Sequence, residues 1–139
     1  MALKITLHPH ERMILSGAVV ANWGCTNCDL SIEENVPVLR EKDIMGEKEA
    51  HSPCRRIYLA VQLMYVDEKN LTEYHRIYWD LVRDVVKAAP SMLSMIERIS
   101  EHISNRNYYK ALKLSRKLIE YEDELVDSYF QSVGTVMEC

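Results

Sequence analysis

Glycine is scarce in this chain. The four glycines stand at 17, 24, 46 and 134, and none opens a Gly-rich phosphate loop. The backbone nests that cradle nucleotide phosphates therefore have no support in the sequence. A second C-x-x-C is missing beside Cys25-Thr-Asn-Cys28, and the histidines at 8, 10, 51, 75 and 102 are scattered, with no H-x3-5-H. A zinc site built from paired motifs lacks half its ligands. No apolar run approaches the roughly 18 residues of a membrane span. The first residues, MALKITLHPHER, hold no apolar signal-peptide core. An excess of positive charge is missing too. Against 17 Lys and Arg stand 21 Asp and Glu, for a formal net charge of −4. Any nucleic-acid binding must then come from a local patch. These absences point to the cytoplasm, where thiols stay reduced, with no membrane, cofactor or metal expected.

A chain of 139 residues makes about one domain. Its 47% hydrophobic content, with eight Tyr and two Trp, can fill a core. Two kinds of patterning follow one another. Residues 3–40 hold short apolar or alternating runs: LKITL, RMIL, AVVANW, CDLSIE and VPVLRE. Punctuation falls at Pro9, Ser16-Gly17, Gly24–Asn27 and Asn35–Pro37. This reads as a meander of short strands. Pro37 places the last strand at an edge or bend. So small a β-unit needs helices or a partner to cover it.

From residue 53 the period becomes 3.6. Ser52-Pro53 is an N-cap followed by proline at the first helical position. Ile57, Ala60, Val61 and Met64 make one face. Asn70-Leu-Thr-Glu73 has capping-box spacing and opens a helix carrying Leu71, Tyr74, Tyr78, Leu81, Val82 and Val85. Pro90-Ser91 ends it and starts the next, with Met92, Met95, Ile96, Ile99 and Ile103. A last helix runs from about Asn107 to Phe130. The expected fold is α+β: an N-terminal antiparallel β-unit over 1–45, then a bundle of about four helices over 46–139. No internal repeat or low-complexity segment interrupts it.

The C-x-x-C admits three readings. It is a hairpin turn, since strand patterning flanks it and Gly24 and Asn27 tolerate positive φ. It is a metal site completed by Cys54 or a second subunit. Or it is a redox pair. The missing second motif favours the turn.

The last helix carries the clearest charge pattern. Residues 105–119 hold five basic residues and no acid. Arg106, Lys110, Lys113 and Lys117 fall in one narrow stripe at 100° per residue. Opposite lie Tyr108, Ala111, Leu112, Ser115, Leu118, Ile119 and Val126, so this face docks on the core. Then the charge reverses at Glu120, Glu122, Asp123, Glu124 and Asp127. The stripe is either a solvated helix face or a set of phosphate contacts. Asn-Tyr-Tyr at 107–109 offers aromatics that could stack on unpaired bases. His75 lies beside Trp79 at i, i+4, but no nucleophile sits at fixed spacing from it. Glu33-Glu34 and Glu41/Asp43 are carboxylates in polar settings, with no desolvated acid of the kind hydrolysis needs. The chain does not read as an enzyme.

The segments MALKITLHPHERMILSGAVV, PVLREKDIM, RRIYLAVQLMYV and YYKALKLSRKLIEYEDELV resemble the FlbT family of flagellum biosynthesis repressors. The resemblance spans residues 1–126. It implies a cytoplasmic post-transcriptional regulator of flagellin synthesis that acts on the 5′ untranslated leader of flagellin mRNA and promotes its decay, some relatives acting positively. It also implies FlaF, a small companion on the same step, as a protein partner. Family loops at 23–28 are polar or basic without cysteine, so by this resemblance Cys25 and Cys28 belong to this member's own loop.

The β-unit also resembles the CsrA type of leader binder. HPHERMIL stands where that type has its K-P-G-E turn, and VLREKDI where it has V-x-R-E. By that analogy Arg40 contacts RNA, and Leu7 and His8 lie on the facing strand. His10 departs from the pattern's glycine. Residues 1–45 hold four basic and six acidic residues. Positive charge for RNA must then come from placed residues: Arg12, Arg40, Arg55, Arg56 and the stripe of Arg106, Lys110, Lys113 and Lys117. The competing reading is a non-enzymatic adaptor or chaperone-like protein that binds flagellin or a FlaF-type partner, which the acidic balance favours. Exposed sheet edges suggest a homodimer.

Overall fold

In a computed structural model, the protein is described over residues 2–137, with side chains as far as Gln131. Five strands come first: β1 (Leu3–Leu7), β2 (Arg12–Leu15), β3 (Ala18–Ala21), β4 (Cys28–Ile32) and β5 (Val38–Arg40). Four helices follow: α1 (Pro53–Val66), α2 (Leu71–Ala88), α3 (Leu93–Ser104) and α4 (Tyr108–Met137). Each apolar run of the N-terminal segment forms a strand, and each period-3.6 segment forms a helix. The α+β architecture follows the alternation of the sequence.

The strands do not pair in simple succession. β1 pairs antiparallel with β4, and β3-β2-β5 form a second antiparallel sheet. Only β2 and β3 make a hairpin. Their two-residue turn has Ser16 at φ 50 and Gly17 at φ 88, the paired positive φ of a type I′ turn, whose twist matches the strands. The segment between β3 and β4 is therefore no hairpin: Ala21 sits opposite Arg12, whereas Cys28 sits opposite Leu7. It carries the chain from one sheet to the other. Residues 25 and 28 are exposed free thiols there; Cys139 lies outside the described residues.

Alternation along the strands explains the layering. Ile5, Leu7 and Met13 are buried together, with Leu15, Val20, Leu30, Ile32 and Val38 against them. Both sheets contribute, so they close on each other. The intervening residues Ile14 and Leu39 turn the other way and join the helical core. The β3-β2-β5 sheet is thus the middle layer. β5 is an edge strand, and Pro37 precedes it, where its carbonyl accepts from Ser16 N at 2.8 Å.

α1 is the central helix. It packs on both α2 and α4, and α3 packs on α4. Ile57, Val61 and Met64 are wholly buried. Its N-cap forms as the sequence predicts: Ser52 accepts from Arg55 N, and Pro53 opens the helix. A second stripe of α1 holds the β-unit in place. Tyr58 Oη donates to Asp43 O at 2.5 Å, Gln62 bonds both N and O of Met45 at 2.7 and 3.0 Å, and Tyr65 Oη bonds both N and O of Val38 at 3.1 Å. Positions i, i+4 and i+7 thus satisfy the backbone polar groups of the connecting segment, which burial would otherwise leave costly.

Two local expectations are corrected. The capping box at Asn70–Glu73 does not form. Asn70 donates its side chain to Asp67 at 3.0 Å, and Glu73 pairs with Arg76. Asp67 takes the capping role, accepting from Lys69 N and Tyr74 Oη at 3.2 and 2.6 Å; a full carboxylate wins the exposed donors. Val126 is the second: it is 46% exposed. Burial along α4 ends at Glu122, where the neighbouring helices end, and Leu125, Tyr129 and Phe130 are exposed as well.

Candidate nucleic-acid interface

Arg40 ends β5, and alternation turns its side chain to the same face as Val38. Its Nη2 donates to Thr6 O at 2.9 Å and lies 3.7 Å from Glu11 Oε2. The side chain thereby ties the second sheet to β1 beside Leu7 and His8, and it stays 38% exposed. The turn that the leader-binder analogy requires is present. His10 adopts φ 66, the left-handed region that glycine enters readily. Backbone bonds His10 N to Asn22 O (2.7 Å) and Glu11 N to His8 O (3.0 Å) hold it. Arg12 is exposed on β2 and shares a small hollow of about 80 Å³ with His10, Asn22 and Trp23. Trp23 is 83% exposed. The sequence reading passed over it; its signal is a tryptophan set beside a polar Gly-Cys-Thr-Asn loop.

Arg55 and Arg56, adjacent on α1, have different fates. Arg55 makes a two-pronged pair with Asp123 at 3.0 and 2.9 Å and reaches Glu122 at 3.4 Å. This bond holds the Asp123 carboxyl below its usual range. Arg56 is exposed, with no side-chain partner among the described residues.

Arg106 does not lie on α4. It occupies the α3–α4 turn at φ 59. Arg106 N bonds Ile103 O at 3.0 Å and Asn107 N bonds His102 O at 2.8 Å. This is the Schellman arrangement that closes a helix, with arginine at the position glycine usually fills. The helical stripe therefore consists of Lys110, Lys113 and Lys117, all exposed. Opposite it Ala111, Leu112, Ser115, Leu118 and Ile119 are buried, as their spacing predicts.

Beside the stripe lies a notch of about 270 Å³, bounded by α1, α4 and the turn after β5. Three cations, Lys113, Arg116 and Lys117, face two carboxylates, Asp43 and Glu120. Lys113 Nζ sits 5.1 Å from the Tyr109 ring centre and 3.8 Å from Asp43. The hydrogen bond to Tyr109, with Asp43 nearby, pushes its pKa up and keeps it charged. Arg116 stacks 4.8 Å from the Tyr58 ring centre and donates to Tyr58 Oη at 3.0 Å. Burial raises the Tyr58 pKa, and Arg116 opposes that. Arg116 escaped the sequence reading because it falls between the stripe and the core face. Tyr109 is 44% exposed. The arrangement offers phosphate-binding cations next to a partly open aromatic ring, a combination suited to single-stranded nucleic acid.

His75 contacts Tyr108 edge-on at 6.4 Å, whereas Trp79 packs on Tyr78 at 5.2 Å. The i, i+4 pairing of His75 with Trp79 is not made.

The fold and this face define an α+β protein with a basic, tyrosine-bearing helical surface and, among the described residues, no helix long and apolar enough to cross a membrane. Comparison with known proteins supplies the family. The family model described as Flagellar protein FlbT matches residues 3–126, and the chain belongs to the FlbT family. It is 46% identical over 129 residues to the probable flagellum biosynthesis repressor protein FlbT 1 of Bradyrhizobium diazoefficiens, covering 93% of this chain and 88% of that one. It is 42% identical over 126 residues to the flagellum biosynthesis repressor protein FlbT of Caulobacter vibrioides, covering 89% of each. A relative from Caulobacter strain K31 is 44% identical over 126 residues, covering 89% of this chain and 95% of that one. No solved structure matches the chain.

Proposed function

We propose that this protein is a cytoplasmic, non-enzymatic regulator of flagellin synthesis that binds the 5′ untranslated leader of flagellin mRNA and represses its translation or promotes its decay. Membership of a family whose relatives are named flagellum biosynthesis repressors supports the regulatory part. One structural observation supports the RNA part: Lys110, Lys113 and Lys117 line up on α4 beside Tyr109 and Arg116. Lysines supply phosphate affinity, and partly open aromatics and arginine planes suit unpaired bases. Decay would follow from blocking ribosomes or recruiting a nuclease. The test is titration of flagellin leader RNA across salt concentrations. Log K should fall linearly with log salt, and a scrambled RNA should bind more weakly. Equal binding of both RNAs, or none at any salt, would refute the reading.

A second reading has its own support. Leu125, Val126, Tyr129 and Phe130 are exposed where α4 runs past the bundle. An apolar helix face of this kind suits a protein partner, and flagellin or a FlaF-type protein would be that partner. Loss of co-purification on Phe130→Glu, with leader binding unchanged, is its expected signature.

A further inference from the structure

A second and larger hollow lies across Tyr109 from the basic notch. It is an open groove of about 1020 Å³, formed where the segment before β5, the start of α2 and the α3–α4 turn meet. That size is at the upper end of the roughly 300–1,000 Å³ of ordinary ligand sites. Tyr109 borders both hollows, so its ring is the point where they adjoin.

The two hollows differ chemically. The notch carries three cations against two carboxylates. The groove has one cation, Arg106, and one carboxylate, Glu68. Charge therefore favours phosphate in the notch and gives it no preference for the groove. What the groove does hold is aromatic surface. Tyr65 and Tyr109 lie 5.7 Å apart, and the His75 and Tyr108 rings meet edge-on. Among the described residues, the side chains of Asn35, Thr72, Asn107 and Arg106 have no hydrogen-bond or ion-pair partner. These are amide, hydroxyl and guanidinium groups of the kind that bond base edges.

Arg106 adds an independent observation. It holds φ 59 at a helix-closing position that glycine would occupy without strain. A left-handed non-glycine residue that lines a groove points to a function for its side chain.

We propose that this groove receives an unpaired base of the RNA, stacked on Tyr109 with Arg106 and Asn107 at its edge, while Lys113 and Lys117 hold the flanking phosphates. The proposal rests on the RNA-binding reading and locates its sequence readout at the α3–α4 turn.

The full chain would be titrated with fluorescent flagellin leader RNA at several salt concentrations, and 4-thiouridine cross-links would be mapped by mass spectrometry. Tyr109→Ala should weaken binding roughly tenfold or more, as loss of one stacked base does, and Tyr109→Trp should restore it. The salt slope should stay the same in both, since no phosphate contact is removed. Arg106→Gly gives the sharper contrast. It should raise the urea midpoint by relieving the left-handed arginine, yet weaken leader binding. Cross-links should fall within 103–109. If the wild type binds leader RNA while both variants bind it normally, the groove assignment fails and the RNA reading stands. Cross-links confined to the Trp23 face would overturn it in the same way, and so would a protein partner lost on Tyr109→Ala with RNA binding unchanged. If the wild type binds no RNA at all, both fall together.

Discussion

Glu122 gives the most direct test of how α4 is seated. It is buried at 9% exposure, at the N-terminus of α1. It accepts from Ser52 Oγ at 2.5 Å, Cys54 N at 3.1 Å and Arg55 Nη1 at 3.4 Å. Glu122→Ala removes all three bonds. The Cys54 amide is left buried without its acceptor, which costs about 1–3 kcal/mol. A negative charge at a helix N-terminus is lost as well, worth about 0.3–1 kcal/mol. Arg55 is not orphaned, since Asp123 still holds it by two bonds. That keeps the total below the ~3–5 kcal/mol of a fully broken buried pair. The expected loss is about 2–4 kcal/mol. Glu122→Gln should cost only about 1–2 kcal/mol. Its carbonyl can accept from Cys54 N while its amide faces Ser52, so the charge and the bond from Arg55 Nη1 are lost. Urea denaturation followed by far-ultraviolet circular dichroism measures both, with the slope m expected to stay constant. Two variants equal within ~0.5 kcal/mol of the wild type would refute this account of the contact. Leader affinity per folded molecule should not change in either, because Glu122 faces the core.

Other expectations follow from the same geometry. Replacing Lys110, Lys113 and Lys117 with Gln should weaken leader and scrambled RNA alike and flatten the salt slope by about 2, from ~0.7 per phosphate contact on single strands, and the helix should stay folded. Arg40→Ala should lose about 1–1.5 kcal/mol of stability with its bond to Thr6 O, read from urea midpoints, and roughly 1–3 kcal/mol of leader affinity if it also reads a base; normal leader binding by the folded variant would remove the CsrA-type analogy. Gly17→Ala should destabilise by about 1 kcal/mol or more, because φ is 88 and the added Cβ would lie 3.1 Å from Val66 O; a neutral thermal melt would show that the turn is not held as described. Cys25→Ser with Cys28→Ser should stay within about 0.5 kcal/mol and leave regulation intact, and stoichiometric zinc in purified protein would contradict that.

The strands and helices were legible because their periods are local. Val38-Leu39-Arg40 shows what was not. Its alternation predicts a strand but cannot say that Leu39 belongs to the helical core and Val38 to a separate one. That depends on which sheet covers which, a property of the closed β-unit. The pairing of β1 with β4 was hidden for the same reason. The end of the α4 core was hidden too, because Val126 continues the apolar spacing past the point where α1 and α3 stop. The capping box failed because both of its side chains are engaged elsewhere, Asn70 on Asp67 three residues upstream and Glu73 on Arg76.

The candidate cations were legible as residues but not as a site, because pairing sorts them. Arg55 is bound to two carboxylates of α4, and Arg40 to Thr6 O with Glu11 nearby. Arg12, Arg56, Arg106, Lys110 and Lys117 keep no side-chain partner among the described residues. Glu122 and Asp123 spend part of the acidic excess on Arg55, a residue 67 and 68 positions away in sequence. No local count of charge reveals such a bond. Its consequence is that a molecule with a net charge of −4 still presents free lysines on α4. Arg106 and Lys117 line the two hollows that Tyr109 borders, and Lys110 follows Tyr109 on α4, whereas Arg12 and Arg56 stand apart on other elements. A ligand that needs several cations and an aromatic ring together finds them around the start of α4.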